Sequence, residues 1–270
     1  MVKKKVGIAG YGIIGKRRRQ YIDNNPHLQT IAVCDQNFEN DTVLEDGLKC
    51  FSNYQDLLDK PLDVLFISLP NYLAPEVTMA GLERGMHVFC EKPPGRNVED
   101  VENVFQVKQK YPNLHLKYGF NHRYHDSVKD ALELIKSEKF GKVIYLRGIY
   151  GKSIISPFNK TWRAERKYAG GGILLDQGIH IVDLMQLFCD EFVEVKSFIS
   201  NSYWKCDVED NAYAIMRSKS GVVATLHSSA TQWQHRFSLE IGLEEGFLEL
   251  RGILTGTRSY GEEKRCSYRW

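Results

Sequence analysis

Three glycines near the start of the chain have the spacing of a phosphate-binding turn. They form a GxGxxG pattern directly after a short apolar run and open a helical period. In such a turn the first glycine permits the bend, the second lets the backbone approach a pyrophosphate, and the third lets the helix pack on the strand. The free N–H groups at the helix start attract phosphate oxygens. The pattern predicts a dinucleotide site, with an ordinary turn as the alternative. The predicted contacts are Gly10, Gly12, Ile13, Ile14 and Gly15.

An acidic residue follows at the distance that such a turn requires. Asp35 lies 20 residues after Gly15, at the end of a second apolar run. A carboxylate there can accept hydrogen bonds from both ribose hydroxyls and repels a 2′-phosphate. The next residues, Gln36 and Asn37, bring no positive charge. We therefore predict NAD rather than NADP; the alternative is that Asp35 is a surface residue.

A second set of chemically capable residues follows the glycines at 170–172. Asp176 and His180 are four residues apart, so a helix places them on one face, with Asp183 about one turn further. An imidazole can take a proton from a hydroxyl near neutral pH, and the carboxylate can orient the substrate. One alternative is a core histidine paired with a nearby acid. A metal site ranks last, because no further His or Cys cluster supports it.

One lysine occupies a position where ligands bind in parallel sheets. Lys92 lies in the segment Cys-Glu-Lys-Pro-Pro, immediately after the fourth apolar run. Ligands bind beyond the carboxyl ends of such strands, which aims this side chain at the cleft. Its charge could stabilise a developing alkoxide there. The alternative is a solvated loop lysine.

The elements needed to position these residues are recognisable in the first 120 residues. Short apolar runs alternate with helical periods, as is typical of an α/β Rossmann domain with a doubly wound parallel sheet. Asn97 can cap a helix whose first turn contains two acidic residues. The predicted strands are residues 6–9, 30–34, 64–68, 86–90 and 114–120, and the other predicted helices are 13–22 and 74–84.

Residues 121–270 have a different rhythm, which predicts a C-terminal α+β domain with a largely antiparallel sheet. A helix at about 126–138 precedes longer alternating runs joined by short polar links that suit hairpins. The last residues, 265–270, match no expected strand or helix. The predicted strands are 142–150, 192–204, 211–217, 222–229, 236–242 and 247–250.

Composition restricts the partners. The chain has 270 residues with 36 basic and 34 acidic side chains, a balance that gives no electrostatic case for nucleic acid or an anionic membrane. The basic run at 16–19 is interpreted as a solvated helix face, with a binding patch as the alternative. Six cysteines without CxxC or metal spacing predict reduced, mostly buried thiols. No apolar run suits a signal peptide or a membrane span, which predicts a soluble cytoplasmic protein.

Together these motifs resemble the Gfo/Idh/MocA oxidoreductase family, which includes glucose–fructose oxidoreductase and inositol dehydrogenases. The resemblance covers about residues 5–185. It rests on the glycine turn, on Glu-Lys-Pro at 91–93 and on the Asp-x-x-x-His element. Ser-Leu-Pro-Asn at 68–71, Gly-Phe-Asn at 119–121 and Trp-Arg at 162–163 add to it.

The resemblance implies a nicotinamide-dependent dehydrogenase, and hydride transfer itself needs no metal. Lys92 and His180 would flank the nicotinamide and the reacting carbinol, and Asp176 would hold substrate hydroxyls. It also implies a homodimer or homotetramer that associates through the C-terminal sheet. The further cofactor contacts would be Leu69, Pro70, Asn71, Glu91, Lys92, Asn121, Trp162 and Arg163. Independently of the resemblance, polar and aromatic residues are predicted to line a sugar-sized pocket, with ordinary loop and sheet surface as the alternative; they are Arg123, Tyr124, Tyr150 and Lys152, together with Trp162 and Arg163.

Two departures from the family pattern stand out. The family often has a histidine three residues after the asparagine at 71, where this chain has Ala74. Relatives are usually longer, which suggests a shortened C-terminal domain. The expected substrate is a sugar, amino sugar, nucleotide sugar or polyol. The alternative is a non-catalytic sensor of NAD or sugar, because the family includes a galactose-pathway repressor. The presence of Lys92, Asp176 and His180 favours catalysis.

Overall fold

The structure, a computed structural model, describes residues 2–39, 42–44, 46–155, 158–252, 254–255, 258–259 and 264–269. The chain divides into two compact units, Met1–Gly119 and Phe120–Trp270. Among the described residues, no helix is both long enough and apolar enough to cross a bilayer.

The first unit is built on a seven-stranded sheet with the order β3-β4-β2-β1-β5-β6-β7. All neighbouring pairs are parallel except β3 with β4. The chain winds in one direction from β1 to β4 and in the other from β5 to β7, so the prediction of a doubly wound parallel sheet is confirmed. The elements are β1 (Lys4–Ala9), α1 (Ile13–Asp23), β2 (Leu28–Cys34), β3 (Thr42–Val43), β4 (Lys49–Phe51), α2 (Tyr54–Leu58), β5 (Val64–Ile67), α3 (Ala74–Glu83), β6 (His87–Cys90), α4 (Val98–Lys110) and β7 (Leu116–Tyr118).

Burial and capping explain why the sequence folds this way. Ile8, Leu65 and Ile67 on the central strands are 0 to 1% exposed, as expected for a sheet covered on both faces. Asn97 caps α4, because its side-chain oxygen accepts the backbone N–H of Asp100 at 2.8 Å. The sequence analysis missed the three short elements β3, β4 and α2.

The second unit contains another seven-stranded sheet, with the order β16-β13-β12-β8-β11-β10-β9. Only β8 and β11 pair in parallel in this sheet, so the prediction of a largely antiparallel sheet is confirmed. The elements are α5 (Asp126–Lys136), β8 (Val143–Ser153), α6 (Arg166–Ala169), α7 (Ile179–Phe188), β9 (Phe192–Ser200), β10 (Asn211–Ser218), β11 (Val223–Gln232), β12 (Arg236–Leu243), β13 (Gly246–Arg251), β14 (Leu254–Thr255), β15 (Arg258–Ser259) and β16 (Lys264–Arg269). Short 3₁₀ turns cover Asn121–Tyr124 and Trp162–Ala164.

Two expectations for this unit were wrong. The segment near the end of the chain, expected to match no strand, forms β16 and pairs antiparallel with β13. The residues around Asp176, expected to be α-helical, begin with a π-helical turn over Leu174–Gly178 that leads into α7. Single π turns inside helices are rare and occur frequently at functional sites.

The two faces of the C-terminal sheet differ. Helices α5 and α7 pack on one face, where Leu146, Leu184 and Leu239 are 0 to 1% exposed and form the core. The opposite face presents large apolar side chains to solvent, among them Phe198 and Ile215. This unit therefore has a covered face and an open face.

Candidate active site

The three glycines at the junction of β1 and α1 differ in what a side chain would meet there. Gly10 has a φ of +88°, and a Cβ there would lie 2.4 Å from the carbonyl oxygen of Ser68. A Cβ on Gly15 would lie 2.0 Å from the carbonyl oxygen of Gly10. A Cβ on Gly12 would meet no heavy atom within 4 Å. Backbone packing therefore explains why residues 10 and 15 are glycines. Gly12 instead leaves an open surface at the start of the helix, where a phosphate can approach.

This difference predicts opposite outcomes for two matched substitutions. Gly15→Ala should destabilise the protein by about 1–3 kcal/mol, because the new methyl group overlaps backbone that cannot move aside. Gly12→Ala should keep the wild-type melting temperature but weaken NADH binding at least about tenfold, since the methyl group occupies the approach to the backbone. Thermal unfolding and NADH titration by fluorescence check both. Tight NADH binding by Gly12→Ala would show that this turn is not the cofactor site.

Asp35 lies beside this turn and is tied to it. Its Oδ2 accepts the backbone N–H of Tyr11 at 2.8 Å, and its Oδ1 accepts the backbone and side-chain N–H groups of Asn37 at 3.0 and 2.7 Å. Each carboxylate oxygen has two lone pairs, so Oδ2 can still accept one hydrogen bond from a ribose hydroxyl. The bonds hold the carboxylate at the carboxyl end of β2, next to the glycine turn.

The basic run on α1 is not the fully solvated face that the sequence suggested. Arg18 donates to Glu91 at 2.7 Å and lies over the ring of Phe89. Arg19 donates to the hydroxyl of Tyr11 at 2.9 Å and forms ion pairs with Asp23 and Asp46. Both guanidinium groups are therefore engaged within the first unit, and neither is presented as a patch for an anionic partner.

The Glu91–Lys92 segment follows β6 as predicted. The ion pair of Glu91 with Arg18 joins this segment to α1, the helix that begins at the glycine turn. Lys92 is half-buried and precedes Pro93 through a cis peptide bond. Asn71 is 7% exposed, and Leu69 and Pro70 are half-buried. The predicted cofactor residues of this unit thus follow the carboxyl ends of β1, β2, β5 and β6, at one edge of the sheet.

Two cysteines at that edge have unreactive, protonated thiols. Cys34 ends β2 and Cys90 ends β6. Burial raises the pKa of each thiol to about 12, so both remain protonated at neutral pH. All six cysteines are free, three of them buried and three partly exposed. Neither Cys34 nor Cys90 is suited to act as a nucleophile.

In the second unit, a buried carboxylate holds the start of the segment that carries Asp176 and His180. Glu209 is 8% exposed and accepts the N–H of Gly172 at 2.9 Å and that of Leu174 at 3.2 Å. Its backbone carbonyl accepts the N–H of Ile173 at 3.1 Å. A negative charge at the start of a helix is favourable, and three N–H groups gain partners. Sequence analysis missed Glu209, which lies 33 residues after Asp176.

His180 is a buried ring, 4% exposed, and it packs against another histidine. The ring of His122 stacks on it with centroids 3.8 Å apart and planes 12° apart. Phe120 meets His180 edge-on at 6.2 Å. Sequence analysis also missed His122, although it directly follows Asn121 in the Gly-Phe-Asn motif. The predicted proton acceptor therefore belongs to a stacked pair.

The acids on the same segment bind arginines that the sequence analysis assigned elsewhere. Asp176 accepts from Arg163 at 3.3 Å, and Asp183 accepts from Arg123 at 2.7 Å. The hydrogen bond with Asp183 raises the pKa of Arg123 above its usual value. The described residues contain no group of three or more His, Cys, Asp or Glu side chains that could hold a metal ion. Asp183 thus serves as an arginine partner.

The remaining predicted pocket residues differ in exposure. Tyr124 is 53% exposed, and Asn121 is exposed as well. Arg163 stacks over Trp162 at 4.4 Å, and Lys152 lies 5.5 Å from the ring of Phe158. Tyr150 is 1% exposed, and its hydroxyl lies 3.2 Å from Nε2 of His122. This burial argues against a direct contact of Tyr150 with substrate and places its hydroxyl on His122 instead.

Comparison with known families identifies both units. Residues 4–120 match the model described as an oxidoreductase family with an NAD-binding Rossmann fold. Residues 128–249 match the C-terminal domain of the same GFO/IDH/MocA group. The chain belongs to the Gfo/Idh/MocA family. Its first unit is accordingly an NAD-binding Rossmann domain.

Individual relatives agree with this assignment. The chain is 30% identical over 220 residues to a 1,5-anhydro-D-fructose reductase of Ensifer adhaerens, covering 78% of this chain and 64% of that protein. It is 27% identical to a levoglucosan dehydrogenase of Pseudarthrobacter phenanthrenivorans, covering 74% and 55%. The crystal structure of myo-inositol 2-dehydrogenase from Lactobacillus plantarum superimposes with a TM-score of 0.83 at 25% identity, covering 95% and 81%. The chain thus spans less than two thirds of the first two relatives.

Proposed function

We propose that the protein is an NAD-dependent oxidoreductase that transfers hydride between a secondary alcohol of a sugar or polyol and the nicotinamide. The glycine turn is the observation that supports this proposal most directly. A Cβ on Gly10 or Gly15 would overlap backbone atoms, whereas the space beside Gly12 is empty and can admit a phosphate. Asp35 beside the turn supplies the ribose acceptor. Family membership agrees with this chemistry.

The chain's own residues would divide the reaction between them. The bound nicotinamide supplies the hydride acceptor or donor. His180 removes the proton of the alcohol, and the positive charge of Lys92 stabilises the oxygen as negative charge develops on it. Asp176 accepts a hydrogen bond from a neighbouring hydroxyl and so sets the angle at which the substrate approaches. These roles require Lys92 and His180 to lie at the same nicotinamide ring, which is part of the proposal.

A neutral sugar or polyol is the favoured substrate class. The names of the relatives refer to an anhydro sugar, levoglucosan and inositol. In the second unit, Arg123 and Arg163 are each bound to an aspartate of the helical segment. Their charges are already balanced, which favours a neutral polyhydroxyl compound over a nucleotide sugar with its anionic diphosphate. Amino sugars and nucleotide sugars remain comparison substrates in the test below.

Asp35 should set the preference for NAD. Asp35→Asn keeps an oxygen that can accept the N–H of Tyr11 but removes the charge that repels a 2′-phosphate. We expect kcat/KM with NAD to fall and the ratio of NAD to NADP efficiency to decrease about tenfold, equivalent to about 1.4 kcal/mol. Steady-state kinetics with both cofactors measure this ratio. Glu39→Gln, a change at an exposed acid nearby, is the control, and a wild type with equal efficiencies for both cofactors would contradict the assignment.

The activity itself is tested with a panel of neutral sugars, polyols, amino sugars and nucleotide sugars, followed by NADH absorbance. Turnover of at least one neutral compound, lost in Lys92→Ala while NADH still binds, is the expected result. NADH binding without turnover of any compound would instead favour the sensor function. Turnover that Lys92→Ala leaves unchanged would remove Lys92 from the mechanism.

We further propose that the protein works in the cytoplasm as a homodimer or homotetramer associated through the C-terminal sheet. The open face of that sheet supports this, since Phe198, Tyr213 and Ile215 are 81%, 44% and 58% exposed. A cavity of about 390 Å³ lies among them and also contacts Lys196 and His227. Exposed apolar patches of this kind commonly mark interfaces between proteins. Sedimentation of the wild type and of Ile215→Glu tests the association.

A further inference from the structure

The stacked histidines lie in a small aromatic cluster within the second unit. His122 and His180 are 2% and 4% exposed, with nearly parallel rings 3.8 Å apart. His122 also lies 5.6 Å from Tyr150 and 6.0 Å from Phe237. At this separation the imidazoles are in face-to-face contact, so the charge of either ring acts directly on the other.

Hydrogen bonds determine which nitrogen of neutral His122 carries the proton. Its Nδ1 lies 3.2 Å from the side-chain oxygen of Asn121, which can only accept, so Nδ1 is the donor. Its Nε2 lies 3.2 Å from the hydroxyl of Tyr150, which then donates to it. Asn121 and Tyr150 thus hold the His122 ring in one orientation and one tautomer. The position of the His122 plane in turn limits the rotation of the His180 ring stacked against it.

We propose that His122 is a positioning residue for His180 and that the two stacked rings together carry no more than one positive charge. This inference rests on the proposed role of His180 as the proton acceptor. Two positive charges at this separation in a buried site repel each other, so protonation of one ring disfavours protonation of the other. Proton uptake by His122 therefore prevents proton uptake by His180, and the base works only while His122 is neutral.

Several titratable groups belong to the elements that carry or contact the pair. The ring of His125 lies 5.6 Å from His122. On the helical segment, Asp176 is paired with Arg163 and Asp183 with Arg123, so each acid is balanced by a neighbouring arginine. Tyr150 faces the pair from β8.

Nuclear magnetic resonance of the full protein labelled in its histidine rings tests this without turnover. In the wild type, the summed positive charge of the His122 and His180 rings should rise from zero to one, and not to two, as the pH falls from 9 to 5. In His122→Phe, which keeps a flat ring against His180, His180 should take a full proton alone and its titration curve should change. A wild-type sum of two, or an unchanged His180 curve in the variant, would overturn the proposal.

Tyr150→Phe provides a second test that does not disturb the packing of the pair. The ring nitrogen shifts of wild-type His122 should report the Nδ1–H tautomer. Removing the Tyr150 hydroxyl should allow the Nε2–H tautomer to become populated. Tautomer populations identical to those of the wild type would contradict the fixed orientation, and this measurement decides the matter if His122→Phe fails to fold.

Kinetics separate this inference from the proposed function. If the wild type oxidises a sugar, log kcat/KM should fall with a slope of one on the acid side, because the pair takes one proton. Two independent histidines that must both be neutral would give a slope of two. A protein that turns over no substrate but shows a summed protonation of one would refute the dehydrogenase function and retain the paired histidines.

Discussion

Replacing His180 with asparagine should lower kcat about 100- to 10,000-fold, which is the usual cost of losing a positioned proton acceptor. Asparagine is similar in size to histidine but cannot accept the proton of an alcohol near neutral pH. The dinucleotide turn lies in the other unit and is unaltered, so NADH binding should be unchanged. Steady-state rates with the best compound of the sugar panel, together with NADH titration, measure both effects.

The control for this substitution is another stacked histidine. His115 is exposed, and its ring lies 5.1 Å from that of His87 in the first unit. His115→Asn should keep the wild-type rate, because this pair takes no part in the proposed reaction. Full turnover by His180→Asn with intact NADH binding would remove the assigned role of His180.

Combining substitutions tests whether Lys92 and His180 serve the same step. If both groups act on one transition state, their effects on kcat should not add. The double variant Lys92→Ala/His180→Asn should then have nearly the same kcat as the more impaired of the two single variants. Effects that multiply would show that the two residues act independently. Comparing the double variant with both single variants therefore tests whether the two residues serve one step.

The first unit was predictable because its signals are local. A glycine turn, its strand and its helix occupy consecutive residues, and each apolar run of the parallel sheet is bounded by a helix or a proline. Asn97 illustrates the same point, since a cap and the N–H that it binds are three residues apart. The short elements β3, β4 and α2 were missed because two to five residues are too few to show a period.

The second unit was less predictable because its site depends on contacts between distant residues. His122 reaches His180 across 58 positions, and Arg123 reaches Asp183 across 60. Neither spacing carries a helical or strand period, so sequence analysis assigned the arginine to the substrate pocket and passed over the histidine. Strand β16 was missed for a related reason, because its six residues pair with β13 and show no clear alternation of their own.

In the basic run at 16–19, the function of Arg18 depends on an acidic partner that is distant in the sequence. Charge runs usually form solvated faces, and the sequence contains no local acid that would suggest otherwise for Arg18. Its partner, Glu91, lies 73 residues away and belongs to the segment that presents Lys92. Arg18, which was predicted to be solvated, therefore joins α1 to the segment that contains the proposed catalytic lysine.

Glu209→Ala should cost about 3 kcal/mol of unfolding free energy and reduce kcat more than it raises KM. The substitution leaves the N–H groups of Gly172 and Leu174 without the carboxylate that now accepts them in a buried place. The helical segment loses its anchor at the start, so Asp176 and His180 lose their fixed positions. A small displacement of catalytic groups lowers the rate strongly, whereas substrate contacts made elsewhere are retained.

Two further variants separate anchoring from simple loss of stability. Glu209→Gln keeps one acceptor oxygen and the shape of the side chain, so it should recover part of the lost stability and part of the lost rate. Asp210→Asn alters a neighbour that is also buried and that accepts the backbone N–H groups of Tyr203 and Trp204; among the described residues, its side chain makes no hydrogen bond to the helical segment. It should lower the free energy of unfolding without a comparable fall in kcat. If both sites reduced kcat only in proportion to stability, Glu209 would be a structural residue, and the positions of Asp176 and His180 would depend on the core packing of α7 instead.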